Sequence, residues 1–290
     1  MFNGALTAII TPFREGAVDE RALRDLIEWQ IQSGIDGIVP CGSTGESATL
    51  SHAEHERVVK ITIEQTRKRV PVLAGTGSNS TAEAIRLTAS AREMGADGAL
   101  LLSPYYNKPT QEGIYKHYKM IATSVDLPLF MYNIPGRTAS NIAPETMARL
   151  CEIKQIVGVK EASGSMDQIS DIFRLCGDRL TVLSGDDSMV VPIMALGGKG
   201  VVATASNVVP REMHDLAAAG LSGDFARARE IHYRLLPLLR MLFVETNPIP
   251  VKQAAAFLGR CANELRLPLV PMTPPAADRL KAAMKELRLL

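Results

Sequence analysis

The sequence predicts a (β/α)8 barrel on three observations: eight short apolar runs, amphipathic helical segments between them, and an internal echo on a two-unit pitch. The apolar runs cover residues 5–11, 37–41, 70–75, 98–103, 128–132, 156–160, 180–184 and 200–204. Eight strand–helix alternations in about 220 residues match the count and length of such a barrel. The echo pairs Ser33-Gly34-Ile35-Asp36-Gly37-Ile38-Val39 with Met94-Gly95-Ala96-Asp97-Gly98-Ala99-Leu100, and 94 − 33 = 61 residues separate the copies. That distance is two strand–helix units, so one helix stop, turn and strand start recur regularly. A doubly wound sheet is the competing architecture. No Gly-x-Gly-x-x-Gly follows the first strand, which counts against it.

Taken in order, the first run begins right after Met1-Phe2-Asn3-Gly4, with no basic segment ahead of it, so no signal peptide is expected. Residues 21–33 then place Leu23, Leu26, Ile27, Gln30 and Ile31 on one helical face. In each copy of the echo the first glycine suits a left-handed helix stop, and Asp-Gly suits a tight turn. Ser51-x-x-Glu54 and Ser80-x-x-Glu83 both read as capping boxes, which would leave His52 and His55 as exposed first-turn residues. After Asn207 the strands stop. Residues 210–219 read as the eighth barrel helix, and 223–245, 250–259 and 275–290 as a small all-helical appendage. The expected division is a barrel over 1–221 and a helical region over 222–290.

Apolar residues make up 46% and charged residues 22%, as in an ordinary soluble enzyme. A net charge of +1 gives no reason to expect nucleic acid or an anionic membrane as partner. No run approaches the roughly 20 apolar residues of a membrane span. Cys41, Cys151, Cys176 and Cys261 are widely spaced and suit reduced thiols, so a cytoplasmic location is expected.

If the barrel is right, chemistry collects at the carboxyl ends of its strands. The sixth run ends in Lys160, followed by Glu161-Ala162-Ser163-Gly164. A lysine among apolar neighbours loses solvation of its ammonium, which frees a nucleophilic amine for a keto group. Alone, a strand-end lysine more often snorkels to solvent, so its neighbours must decide. The second strand ends in Cys41-Gly42-Ser43-Thr44-Gly45-Glu46, a loop that offers hydroxyls and backbone N–H groups to an anion. Tyr106 and Tyr132 end the fourth and fifth, and with Ser43 and Thr44 they form a candidate proton relay. Arg137, in a Pro-Gly turn, is a candidate carboxylate clamp. Asp186 and Asp187 end the seventh strand without a nearby histidine, so helix capping is expected of them rather than metal binding. The five histidines fall on helical segments. No catalytic histidine and no metal are expected.

Gly42-Ser43-Thr44-Gly45-Glu46, Tyr132-Asn133-Ile134-Pro135-Gly136-Arg137-Thr138, Gly158-Val159-Lys160-Glu161-Ala162 and Asn247-Pro248-Ile249-Pro250-Val251-Lys252 together resemble the dihydrodipicolinate synthase family. That family belongs to the pyruvate-dependent class I aldolases, which include N-acetylneuraminate lyase. The resemblance runs from Gly4 to the C-terminus. It implies a Schiff base between Lys160 and pyruvate, with Tyr132 moving protons through Ser43 to a Tyr106 supplied by a neighbouring subunit. Thr44, Gly185 and Val202 would surround the pyruvate, and Arg137 would meet L-aspartate 4-semialdehyde. No metal or organic cofactor is implied. A homotetramer built from two tight dimers is implied by the crossing tyrosine.

Many members have threonine where this chain has Ser43, which keeps the hydroxyl but not the methyl that restricts its rotamer. Serine there is also common in the sialic-acid lyases, so another pyruvate-dependent aldolase acting on a sugar acid is the alternative activity. Ala48, His52, His55, Asn79, Glu83 and Tyr105 stand where lysine-inhibited members bind L-lysine.

Overall fold

The computed structural model describes residues 2–290. Strand β1 (Gly4–Ala8) precedes a small antiparallel hairpin of β2 (Phe13–Arg14) and β3 (Ala17–Val18). Seven more strands follow: β4 (Gly37–Val39), β5 (Leu73–Gly75), β6 (Gly98–Leu102), β7 (Leu129–Asn133), β8 (Ile156–Glu161), β9 (Thr181–Ser184) and β10 (Gly200–Ala203). The eight long-range strands pair in parallel in the order β4-β1-β10-β9-β8-β7-β6-β5. A parallel bridge between Ile38 and Val72 joins the two ends into a ring. The fold is a (β/α)8 barrel.

The helices are α1 (Glu20–Gln32), α2 (His52–Thr66), α3 (Thr81–Met94), α4 (Gln111–Ser124), the single turn α5 (Pro135–Thr138), α6 (Pro144–Leu150), α7 (Met166–Cys176), α8 (Val190–Ala195) and α9 (Pro210–Leu221). Three more complete the chain: α10 (Phe225–Met241), α11 (Ile249–Phe257) and α12 (Pro274–Glu286). In α1 the side chain of Asp19 accepts the N–H of Ala22, and Leu23, Leu26, Ile27 and Gln30 are buried. Gln30 is tolerated on that apolar face because its amide is satisfied, donating to Ser206 O at 2.7 Å and accepting from Thr7 Oγ1.

The echo is visible in three dimensions. Gly34 and Gly95 both sit in left-handed backbone, at φ +88° and +93°. The aspartates do more than turn the chain. Asp36 accepts the N–H of Ala5 at 2.8 Å and Asp97 that of Val72 at 2.9 Å, so each latches the start of a neighbouring strand.

The first strand is shorter than its apolar run, because the chain leaves the ladder after Ala8 to enter the hairpin. Inside the ring, Phe2, Leu6, Val39, Leu73, Leu100, Phe130, Leu183 and Val202 form one apolar cluster, roofed by Tyr132. A Cβ on Gly158 would lie 2.1 Å from the Phe130 ring, so only glycine there leaves space for that ring. Outside, one continuous core joins Ile10, Val201 and Leu216 to Leu235, Leu238, Leu280 and Met284. The last three helices are therefore packed into the barrel's own core. Among the described residues no helix is long and apolar enough to cross a membrane.

Candidate active site

Strand β8 delivers Lys160 to the carboxyl-end mouth of the barrel, in register with Tyr132 on β7 and Leu183 on β9. The lysine is 6% exposed, and its Nζ stands 4.1 Å from the centroid of the Tyr132 ring. Burial lowers its pKa from 10.5 to about 8; Asp187 opposes that fall and Arg137 adds to it. At pH 7 such a lysine holds about 300-fold more free amine than one at the ordinary value. Burial also pushes the Tyr132 phenol up, so it remains a neutral O–H. A Cβ on Gly185 would lie 2.8 Å from Ala162 Cβ and 3.0 Å from Lys160 Cγ. Glycine there makes room for the lysine stem.

Thr44, in the loop after β4, is buried, and its Oγ1 lies 3.5 Å from Thr204 Oγ1 beyond β10. It also accepts from Asn247 Nδ2 at 2.9 Å. Arg137 sits on the single helical turn α5 rather than in a tight turn, and its Nη2 donates to Asn247 O at 3.0 Å. Asn247 thus touches both Thr44 and Arg137. Its place in the Asn-Pro-Ile-Pro motif was the only signal in the sequence. Val202 is buried on β10, opposite Leu6. Lys160, Tyr132, Gly185 and Arg137 therefore meet at one rim, Thr44 joins Arg137 there through Asn247, and Val202 lies beneath them in the apolar cluster that Tyr132 roofs.

Tyr106 does not join them. It is 89% exposed on left-handed backbone at φ +72°. Among the described residues no hydrogen bond links the Ser43 hydroxyl to Tyr132 or Tyr106, and within one chain the hydroxyl relay is incomplete. The paired aspartates divide. Asp186 caps as expected, accepting from Ser188 N at 2.8 Å, but Asp187 turns inward and accepts the N–H groups of Thr204 and Ala205 at 3.2 and 2.7 Å. Burial pushes the Asp187 carboxyl up to about 7, which makes it a nearby group that senses the charge of Lys160.

A second polar cluster lies outside the mouth. His52 Nε2 is 2.8 Å from Glu83 Oε1, and Ser78 Oγ donates to the other Glu83 oxygen. Asn79 Nδ2 donates to Tyr105 O at 3.2 Å, and Ala48 lies exposed on the 3-10 turn ahead of α2. The capping box at Ser51 and Glu54 is complete. At Ser80 it is not, because the Glu83 carboxylate is diverted to Ser78 and His52, which together hold its pKa below the usual range. His55 is buried rather than exposed, with Nε2 2.8 Å from Gly75 O. Among the described residues no group of three or more His, Cys, Asp or Glu side chains is placed to hold a metal ion.

Comparison with known proteins fits this geometry. A family model described as the dihydrodipicolinate synthetase family matches residues 1–287. The chain belongs to the dihydrodipicolinate synthetase family. The 4-hydroxy-tetrahydrodipicolinate synthase of Syntrophus aciditrophicus is 57% identical over 290 residues, covering all of both chains. The dihydrodipicolinate synthase from Acinetobacter baumannii, described as chloride inhibited and complexed with pyruvate, matches with TM-score 0.98 and 42% identity over 100% of both chains. That from Cyanidioschyzon merolae, described with lysine bound, matches with TM-score 0.97 and 39% identity over 100% of this chain and 99% of the other. Membership of the synthetase family favours the synthase over the sugar-acid lyase.

Proposed function

We propose that the chain condenses pyruvate with L-aspartate 4-semialdehyde to 4-hydroxy-tetrahydrodipicolinate, a step of lysine and diaminopimelate biosynthesis, through a Schiff base on Lys160. The observation that carries this reading is a buried lysine with a pKa of about 8 at the barrel mouth, facing Tyr132. Neutral Lys160 attacks the pyruvate ketone, and the Tyr132 hydroxyl supplies the proton with which water leaves. The resulting iminium draws electrons from the methyl group, and a methyl proton returns to the tyrosine oxygen. The enamine carbon then adds to the aldehyde. The amine of the second substrate displaces Lys160 and closes the ring, which frees the enzyme. The covalent pyruvate adduct is the only cofactor-like species in the scheme.

Thr44 and its loop hold the pyruvate carboxylate, with Gly185 and Val202 bounding the space beside it. Arg137 offers a planar, permanently charged fork to the carboxylate of the aldehyde substrate. Tyr106, turned away from its own barrel, completes the relay through Ser43 from a second copy, and the assembly is a homotetramer made of two such dimers. L-Lysine binds the cluster of Ala48, His52, Asn79, Glu83 and Tyr105 as a feedback inhibitor, Glu83 meeting its ammonium; buried His55 supports that wall without facing the ligand. The division near residue 221 is one of chain order, since one core spans both parts. Assay of aspartate semialdehyde against N-acetylmannosamine, each with pyruvate, tests the substrate. Faster turnover of the aldehyde is expected, and equal or faster turnover of the sugar would overturn the choice.

A further inference from the structure

Glu46 and Lys252 form an ion pair sealed from water, with the carboxylate residue 3% and the lysine 0% exposed. Lys252 Nζ donates to Glu46 Oε1, and Arg266 N donates to Glu46 Oε2 at 3.1 Å. The two cations flank one aromatic ring. Lys252 Nζ lies 4.0 Å and the Arg266 guanidinium 4.4 Å from the centroid of Phe13, which the β2–β3 hairpin supplies. Arg266 is itself paired with Glu54, and Glu264 adds a third carboxylate whose charge reaches both cations. Glu46 sits in left-handed backbone at φ +54°, a conformation a non-glycine residue keeps only where its surroundings fix it.

Both partners lie close in sequence to residues of the mouth. Glu46 is two residues from Thr44, and Lys252 is five from Asn247, whose amide donates to Thr44 Oγ1 at 2.9 Å and whose carbonyl receives Arg137 at 3.0 Å. On its other side the loop is tied by Thr11 Oγ1, which donates to Gly45 O at 2.7 Å. A packed apolar pair would fill the same space without desolvating two charges, but would leave the loop free to shift. Each Glu46 oxygen is instead committed to a different donor, which fixes the carboxylate in rotation and place.

We infer that the Glu46–Lys252 pair is a positioning device for the reaction: it locks the Thr44 loop onto helix α11, so that Thr44 and Asn247 present one fixed geometry to pyruvate. This rests on the reading of Thr44 as the holder of the pyruvate carboxylate. Neither Glu46 nor Lys252 touches substrate; they act through Thr44 and Asn247.

The test compares wild type with Lys252→Met, Glu46→Gln and the double variant, reading pyruvate KM, kcat and thermal stability. Borohydride trapping of wild type with pyruvate is run first. If Lys160 is not trapped, the underlying reading of the site fails by itself. With trapping established, each single variant is expected to raise the pyruvate KM about tenfold or more, with kcat changed less than about threefold. The double variant, which buries no net charge, is expected to regain stability while its KM stays raised. A merely structural pair would lower the amount of active enzyme and leave KM alone. Should a single variant fail to fold, the double variant decides. A folded double variant with the wild-type pyruvate KM overturns the inference.

Discussion

Replacing Lys160 by methionine separates what the lysine does for the reaction from what it costs the fold. Burial lowers its pKa from 10.5 to about 8. At pH 7 the ammonium is therefore held against its own solvation, at a cost of about 3 kcal/mol to folding. The sign follows from proton binding. Between pH 8 and 10.5 the folded chain holds fewer protons than the unfolded one, so the stability that the neutral amine provides is lost as pH falls through that window. Below pH 8 the penalty is constant. Methionine has similar volume and no charge. Lys160→Met is expected to abolish condensation and yet to melt higher than wild type at pH 7, by up to about 3 kcal/mol or roughly 5–10 °C. The gain should shrink as pH approaches 10.5. Thermal unfolding of both proteins at pH 7 and pH 10, beside the condensation assay, measures it. A variant no more stable than wild type at pH 7, or a difference that ignores pH, would refute the claim that the site holds its lysine under strain.

Three other perturbations address two parts of the mouth and the polar cluster outside it. Gly185→Ala puts a Cβ 2.8 Å from Ala162 Cβ and 3.0 Å from Lys160 Cγ, and should lower kcat/KM for pyruvate about 100-fold while costing about 1–3 kcal/mol of stability. Arg137→Ala should raise KM for aspartate semialdehyde about 100-fold while leaving pyruvate trapping intact. Because Arg137 helps lower the Lys160 pKa, its loss should also move the acid limb of the pyruvate reaction to higher pH. Glu83→Gln should weaken inhibition by L-lysine about tenfold or more without altering basal turnover, and wild-type turnover unchanged at millimolar L-lysine would remove the regulatory reading altogether.

The barrel was legible because its signals are local. Apolar runs, helical periodicity and the Gly-x-Asp-Gly echo each act within a few residues, and Gly34 and Gly95 took the backbone those signals require. Lys160 was legible only together with its neighbours: alone, a strand-end lysine more often reaches solvent, and it was the hydroxyls, tyrosines and arginine at other strand ends that marked the mouth where it is buried. The β2–β3 hairpin was missed because two-residue strands have no periodicity, although Glu15 and Gly16, both at positive φ, mark its turn. Glu46 and Lys252 stood in motifs that identify the family, but nothing local announces a pair 206 residues apart. Asp187 looked like its neighbour Asp186. Only the approach of β10 to β9 gives it the backbone N–H groups of Thr204 and Ala205. Tyr106 is meaningful as a relay member only in an assembly, and one chain leaves it in solvent.

The central claim is that Lys160 is the nucleophile, made available at neutral pH by burial. Its most direct test is borohydride trapping with pyruvate across pH, followed by peptide mapping of the reduced adduct. The pyruvyl mass should appear on Lys160, with the initial rate of trapping rising along a titration centred near pH 8. An adduct on another lysine, or a rate that climbs only towards pH 10.5, would contradict the account.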